Sequence, residues 1–140
     1  MGGRAFVDTN VLVYLFDRSE PAKQAVASRV WAEEAPGRNL VLSTQVLQEF
    51  YSVVTREGES TLSSEAAERV VLRLSEGPVV VLEPAMVLSA IRRARRARIS
   101  FWDALIVEAA LAGGCARLLT EDMQHGRDFD GLRVENPFRP

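Results

Sequence analysis

A chain of 140 residues is long enough to bury one core, and 47% hydrophobic with 26% charged residues is the balance of a soluble globular protein. No apolar run approaches the roughly 18 residues that a membrane-spanning helix needs, and the single cysteine, Cys115, cannot close an internal disulfide. The net charge of −2 excludes a uniformly basic surface, so a nucleic-acid partner has to be met by a local cluster of cations.

The N-terminal Met1-Gly2-Gly3-Arg4 leads into an apolar segment rather than a signal-peptide core, and Phe6 stands where a myristoylation signal at Gly2 wants Ser or Thr. A cytoplasmic protein is the resulting expectation. Arg4–Asp8 reads as the first strand, followed by a short helix over Val11–Phe16 and a longer one over Pro21–Glu34, with Pro21 suited to a first helical turn. Pro36-Gly37 marks a turn before a strand at Asn39–Ser43 and a helix at Gln45–Arg56 that Gly58 ends. A helix over Ser64–Glu76 precedes a strand at Pro78–Glu83, where Val79-Val80-Val81-Leu82 shows no alternation and predicts burial on both faces. Then come helices at Ala85–Arg98 and Trp102–Leu111, Gly113 as a helix end, a strand at Ala116–Thr120, a short turn after Glu121 and a strand at Leu132–Glu135. There is no repeat, low-complexity tract or linker, so residues 1–140 read as a single domain. Strands alternating with helices predict an α/β domain, a parallel sheet covered on both faces. Ligands of such sheets bind beyond the carboxyl ends of the strands.

Several acids fall at that edge. Asp8 follows the first strand in Phe6-Val7-Asp8-Thr9-Asn10, where it or Asn10 can also serve as a helix cap. Asp122 follows the fourth strand in Leu119-Thr120-Glu121-Asp122, with Glu121 as its neighbour and rival. Glu49 lies in the first turns of the helix after the second strand, away from a buried stripe of Val46, Leu47, Phe50, Val53 and Val54; Gln45, Gln48, Ser52 and Arg56 share its polar side. Asp103 opens a helix in Ser100-Phe101-Trp102-Asp103, which is also the signature of a capping box. Each acid alone has a structural explanation. Four carboxylates at one sheet edge repel one another and call for a counter-charge. Oxygen ligands with no His or Cys beside them suit Mg²⁺ or Mn²⁺ and disfavour zinc. His125 then reads as a surface loop residue and Cys115 as a small packing residue. Such a site suits phosphodiester hydrolysis, and the sequence offers neither a nucleophile pair nor a Walker-type loop.

Val7-Asp8-Thr9-Asn10-Val11-Leu12, Gln48-Glu49-Phe50, Phe101-Trp102-Asp103-Ala104-Leu105-Ile106 and Leu119-Thr120-Glu121-Asp122 resemble, in order and spacing, the PIN domain family. The nearest likeness is to its VapC-type branch, the toxins of type II toxin–antitoxin pairs, which the ending Asn136-Pro137-Phe138 also resembles. The resemblance implies a three-layer α/β/α domain with a five-stranded parallel sheet ordered 3-2-1-4-5, so that Asp8 and Asp122 face each other where the strand order reverses. It also implies that Asp8, Glu49, Asp103 and Asp122 bind Mg²⁺ or Mn²⁺, that Thr9, Asn10 and Thr120 orient them, and that Asp122 is the ligand rather than Glu121. A metal-dependent endoribonuclease acting on RNA, silenced by a small antitoxin protein and forming a homodimer, is the implied function.

Arg92, Arg93, Arg95, Arg96 and Arg98 are the one dense group of cations. With about 100° between successive residues they cannot share a face. Ile91 and Ala94 are expected to face the core, Arg95 and Arg98 to flank them, and Arg92, Arg93 and Arg96 to point outward. Arg96 and Arg98, nearest Asp103 in the chain, are the candidates for holding an RNA backbone, with Arg92 and Arg93 solvated. Two other functions compete. A Mg²⁺-dependent phosphatase or phosphoacceptor with Asp8 as nucleophile wants a second Asp where Asn10 stands and a lysine near the site, whereas the sole lysine, Lys23, lies in a surface helix. A non-catalytic RNA-binding module would use the arginines and leave the acids as caps.

Overall fold

The computed structural model describes residues 3–57 and 61–140, so Gly2 and Gly58 lie outside the described residues. Its centre is a sheet of β1 (Ala5–Val7), β2 (Leu40–Ser43), β3 (Val79–Val80), β4 (Arg117–Leu119), β5 (Asp128–Phe129) and β6 (Leu132–Glu135) in the order β3-β2-β1-β4-β6-β5. The pairs β1/β2, β1/β4, β2/β3 and β4/β6 are parallel, and only β5/β6 is antiparallel. With Leu132–Glu135 counted as the fifth strand, the expected order 3-2-1-4-5 is present, and β5 is an added edge strand. Its turn is Asp130-Gly131, with φ of 54° and 95°, the left-handed pair that a two-residue hairpin turn requires.

β1 and β2 are buried along their whole length, as the middle of a covered parallel sheet should be. β3 is not. Val79 and Val80 are half-buried and Val81 is 62% exposed, because among the described residues β3 has a strand partner only on the β2 side. The unbroken apolar run therefore marks a sheet edge here, not a strand covered on both faces.

The helices are α1 (Thr9–Tyr14), α2 (Pro21–Glu34), α3 (Thr44–Val54), α4 (Ser64–Leu74), α5 (Pro84–Ala97) and α6 (Phe101–Ala112). Their starts follow from side-chain caps. Ser43 accepts from Val46 N, Ser63 from Ala66 N and Ser100 from Asp103 N, while Pro21 and Pro84 fill first-turn positions whose N–H has no helical partner. The chain after Glu121 bends without forming a helix. α1 packs on α2 and α3, and α3 on α4, whereas α5 packs on α6. Phe6, Leu12, Phe50, Leu118 and Leu132 are the largest fully buried side chains of the central core. Gly113 caps α6 where a Cβ would stand 2.9 Å from Val41 Cγ1 and 3.2 Å from Val80 Cγ2, so the close approach of that helix end to the sheet needs glycine.

α5 departs from the helical-wheel expectation. Arg93, expected in solvent, is 8% exposed, and Ile91, expected in the core, is 40% exposed. The buried register is Ala90 and Arg93, with Ala94 partly buried. Arg93 Nε pairs with Glu108 of α6, and Nη2 lies 3.1 Å from Asp130 Oδ2 in the β5–β6 turn, so one guanidinium ties three segments. Arg93→Ala leaves Glu108 nearly buried without its cation and should cost roughly 3 kcal/mol in a denaturant melt, whereas exposed Arg92→Ala should stay within about 0.5 kcal/mol. Equal effects would show that the buried pairing contributes nothing.

Candidate active site at the carboxyl edge of the sheet

The β1/β4 register pairs Val7 with Leu119, and Asp8 N donates to Leu119 O at 3.0 Å. That register sets Asp8 beside Thr120 at the carboxyl ends of two neighbouring strands. Asp8 also caps α1, accepting from Thr9 N at 2.7 Å, so the capping role and the edge position coexist. Thr120, fully buried, donates its hydroxyl to Asp8 Oδ2 at 2.8 Å and accepts from Asp122 N and from Asn10 Nδ2, both at 3.1 Å. Asn10 Nδ2 also lies 3.0 Å from Asp122 Oδ2 and 3.4 Å from Asp8 Oδ2, and its Oδ1 accepts from Glu121 N. Asp8 and Asp122 are thus bridged by Thr120 and Asn10.

The other two acids arrive from helices. Glu49 on α3 accepts from the Thr9 hydroxyl at 2.8 Å, so Thr9 links it to Asp8 through one backbone and one side-chain bond. Asp103, in the first turn of α6, feels the charges of both Asp122 and Glu49. Burial is the main cause that raises its carboxyl above the ordinary value, and a Ser100 hydrogen bond opposes the rise. For Asp8, 6% exposed, burial pushes the carboxyl up to about 6. Bonds from Thr120 and Thr9 lower it, and the Asp122 and Glu49 charges raise it further. Asp8 and Asp103 each feel the charges of both Asp122 and Glu49, and among the described residues none of the four acids forms an ion pair.

Gln45 was expected on the polar side of α3 and is 6% exposed instead. Its Nε2 lies 3.4 Å from both Glu49 Oε2 and Trp102 O, joining α3 to the start of α6, while its buried Oε1 meets no donor among the described residues. The spacing of four between Gln45 and Glu49 puts them on one helical face, which was the available signal. Lys23 is a second departure. It belongs to α2, yet its Nζ reaches Glu121 Oε2 at 2.9 Å and the Tyr14 hydroxyl at 3.2 Å, next to the acids. Tyr14 donates to Glu121 at 2.6 Å and meets Phe138 edge-to-face. Burial works against ionisation of Glu121, but the bonds from Tyr14 and Lys23 outweigh it and hold the carboxyl below its ordinary value. Glu121 is therefore already neutralised by Lys23, while Asp122 turns to Asn10 and the other acids. Lys23 near the site removes one argument against a phosphoacceptor, although this lysine is held by Glu121. His125 is an exposed loop residue whose Nδ1 accepts from Asn136 N, and Cys115 is buried in the core. Arg96 and Arg98 are exposed, with Arg98 closing α5 in a left-handed conformation.

An all-carboxylate donor set without cations, beside an orphaned buried amide oxygen, has the chemistry of a hard divalent-ion site. Among the described residues no three of these acids are drawn tightly enough together to enclose an ion as they stand. Thr9, Asn10 and Thr120 occupy the spaces between them. The residues fit Mg²⁺ or Mn²⁺ by donor type rather than as a closed cage.

The raised Asp8 carboxyl has a definite sign in stability. Between pH 4 and 6 the folded protein holds a proton that the unfolded chain, at the ordinary value of 3.8, has lost. Stability of the metal-free protein should fall as pH rises through that window, by about 3 kcal/mol in all, and then level off. Urea melts in chelator from pH 4 to 8 should show this decline, and Asp8→Asn should flatten it. An unchanged slope in the variant would assign the pH dependence elsewhere.

The PIN domain model matches residues 5–128. Among solved structures, the VapC20 toxin of Mycobacterium tuberculosis, described as cleaving the sarcin-ricin loop, superposes with a TM-score of 0.65 at 24% identity over 81% of this chain and 86% of that one. A toxin–antitoxin complex from Klebsiella pneumoniae gives 0.68 at 19% identity over 95% and 97% of the two chains. VapBC2 from Rickettsia felis, bound to a DNA fragment from its promoter, gives 0.62 at 17% identity over 94% and 97%. No curated protein gives a significant match. The structural likenesses speak to the fold, and the family match covers most of the sequence. The chain belongs to the PIN domain family.

Proposed function

We propose that this protein is a metal-dependent endoribonuclease that hydrolyses RNA phosphodiester bonds as the toxin of a toxin–antitoxin pair. The observation that carries this reading is the gathering of Asp8, Glu49, Asp103 and Asp122 at one sheet edge without an ion-paired cation. These four would hold Mg²⁺ or Mn²⁺. When bound, such an ion activates water for attack and neutralises charge developing on the phosphate. The chain's own contribution is orientation. Thr120 and Thr9 fix Asp8, Thr9 also fixes Glu49, and Asn10 aims Asp122. Cation binding also favours the ionised form of Asp8, which burial alone disfavours.

Membership of the PIN domain family and likeness in fold to a ribonucleolytic toxin and to toxin–antitoxin complexes support RNA as substrate and a small antitoxin protein as partner. A cytoplasmic homodimer completes the reading. The exposed Arg96 and Arg98 are proposed to grip the RNA backbone; Arg93, expected to be solvated, is buried instead.

Purified protein should cleave RNA with Mg²⁺ or Mn²⁺ and gain thermal stability from Mn²⁺ by mass action. Asp8→Asn or Asp103→Asn should abolish cleavage while unfolding remains cooperative. Wild-type cleavage in excess EDTA would overturn the metal requirement. In an Asp8→Asn background, Arg96→Ala and Arg98→Ala should each lower the slope of log affinity against log salt for single-stranded RNA by about 0.7. If both leave affinity and slope unchanged, these arginines do not hold RNA.

A further inference from the structure

Beside Asp122, along α1, a cavity of about 330 Å³ is walled by Val13, Val53 and Tyr14 and edged by Asn10, Asp17 and Asp122. Its polar groups are unevenly committed. The Asn10 amide N–H groups go to Thr120 and Asp122, and the Tyr14 hydroxyl goes to Glu121. Asp17 Oδ1 accepts from Ser19 N and from the Ser19 hydroxyl, which closes the turn after α1, whereas Oδ2 receives no donor among the described residues. What the cavity offers a ligand is apolar surface and carboxylate oxygens. It has no spare donor.

That combination selects against a phosphate, which Asp17 and Asp122 both repel, and for a flat apolar ring whose edge carries N–H groups. The volume is at the small end of ligand cavities and suits one nucleoside rather than a longer stretch. Among the bases, guanine presents two adjacent donors, N1–H and the N2 amino group, that can converge on the one free oxygen, Asp17 Oδ2. Uracil presents one N–H between two carbonyls, and adenine and cytosine each place a ring acceptor beside their amino group. We propose that this cavity is a base-recognition subsite that admits guanine in preference to the other bases, with Asp17 as its specificity-determining acceptor. The proposal rests on the ribonuclease reading above, because it assigns the nucleotide next to the scissile phosphate.

Nucleosides lack phosphate, so their binding can be read without any metal. Guanosine, adenosine, cytidine and uridine are titrated into the whole chain in EDTA and followed by the NMR shifts of Val13, Val53 and Tyr14. Guanosine should bind at least tenfold tighter than uridine and move those signals. Asp17→Asn retains an oxygen for Ser19 and replaces the free acceptor by a donor, so it should erase the preference without altering the melting temperature. In Mn²⁺, the cleavage ratio between guanine- and uracil-containing oligoribonucleotides should fall at least tenfold in the same variant. Equal binding of the four nucleosides, shifts confined to another surface, or a guanine preference intact in Asp17→Asn would overturn the proposal. If RNA is not cleaved but guanosine binds in an Asp17-dependent way, the nuclease reading fails and the subsite stands. Cleavage with no base preference gives the reverse.

Discussion

Carboxylates repel, and this fold brings four of them to one edge of one sheet. The arrangement survives because neutral donors are interleaved between the acids: Thr9 between Asp8 and Glu49, and Thr120 with Asn10 between Asp8 and Asp122. These donors depend on a single register. The parallel pairing of β1 with β4 sets Val7 opposite Leu119, which brings the Thr120 hydroxyl to Asp8. A slip of one residue would turn every side chain to the opposite face and dissolve the cluster. Burial then makes the repulsion costly, since Asp8 has little water to share its charge.

Tertiary structure also decides which acids remain available. Glu121 and Asp122 are neighbours in sequence, yet Lys23 and Tyr14 engage the first and leave the second to the cluster. Gln45 does comparable work between helices, joining Glu49 to the start of α6 and so relating two acids that come from different parts of the chain. Asp103 shows that a helix-start residue need not be only a cap: the helix it opens points its first turn toward Asp122 and Glu49.

The arginine-rich helix divides in the same manner. Arg93 is buried with Glu108 and Asp130 and ties α5 to α6 and to the β5–β6 turn. Arg92, Arg95, Arg96 and Arg98 remain exposed. A run of one residue type thus contains a structural pin and a set of solvated cations, two roles with different consequences for any charged partner.

Through its resemblance to the PIN domain family the sequence implied the central strand order; by itself it determined the α/β architecture and the positions of the four acids along the chain. Local signals suffice for these last two: serine and proline helix starts, short apolar strands, and acids placed just beyond strand ends or in the first turns of helices. It also contains Asp130-Gly131, a hairpin signal that lies outside the strand–helix alternation, and the antiparallel β5 it serves emerged only in the structure. Tertiary structure alone decided the rest. Val79 to Leu82 looks doubly buried because apolar runs carry no information about whether a strand has one neighbour or two. Gln45 and Arg93 look solvated because a polar residue is assigned to solvent until its buried partner, distant in sequence, is known. Lys23 looks remote because 98 residues separate it from Glu121. In each case the deciding energy lies in a contact between residues far apart in the chain, which periodicity along one helix or strand cannot encode.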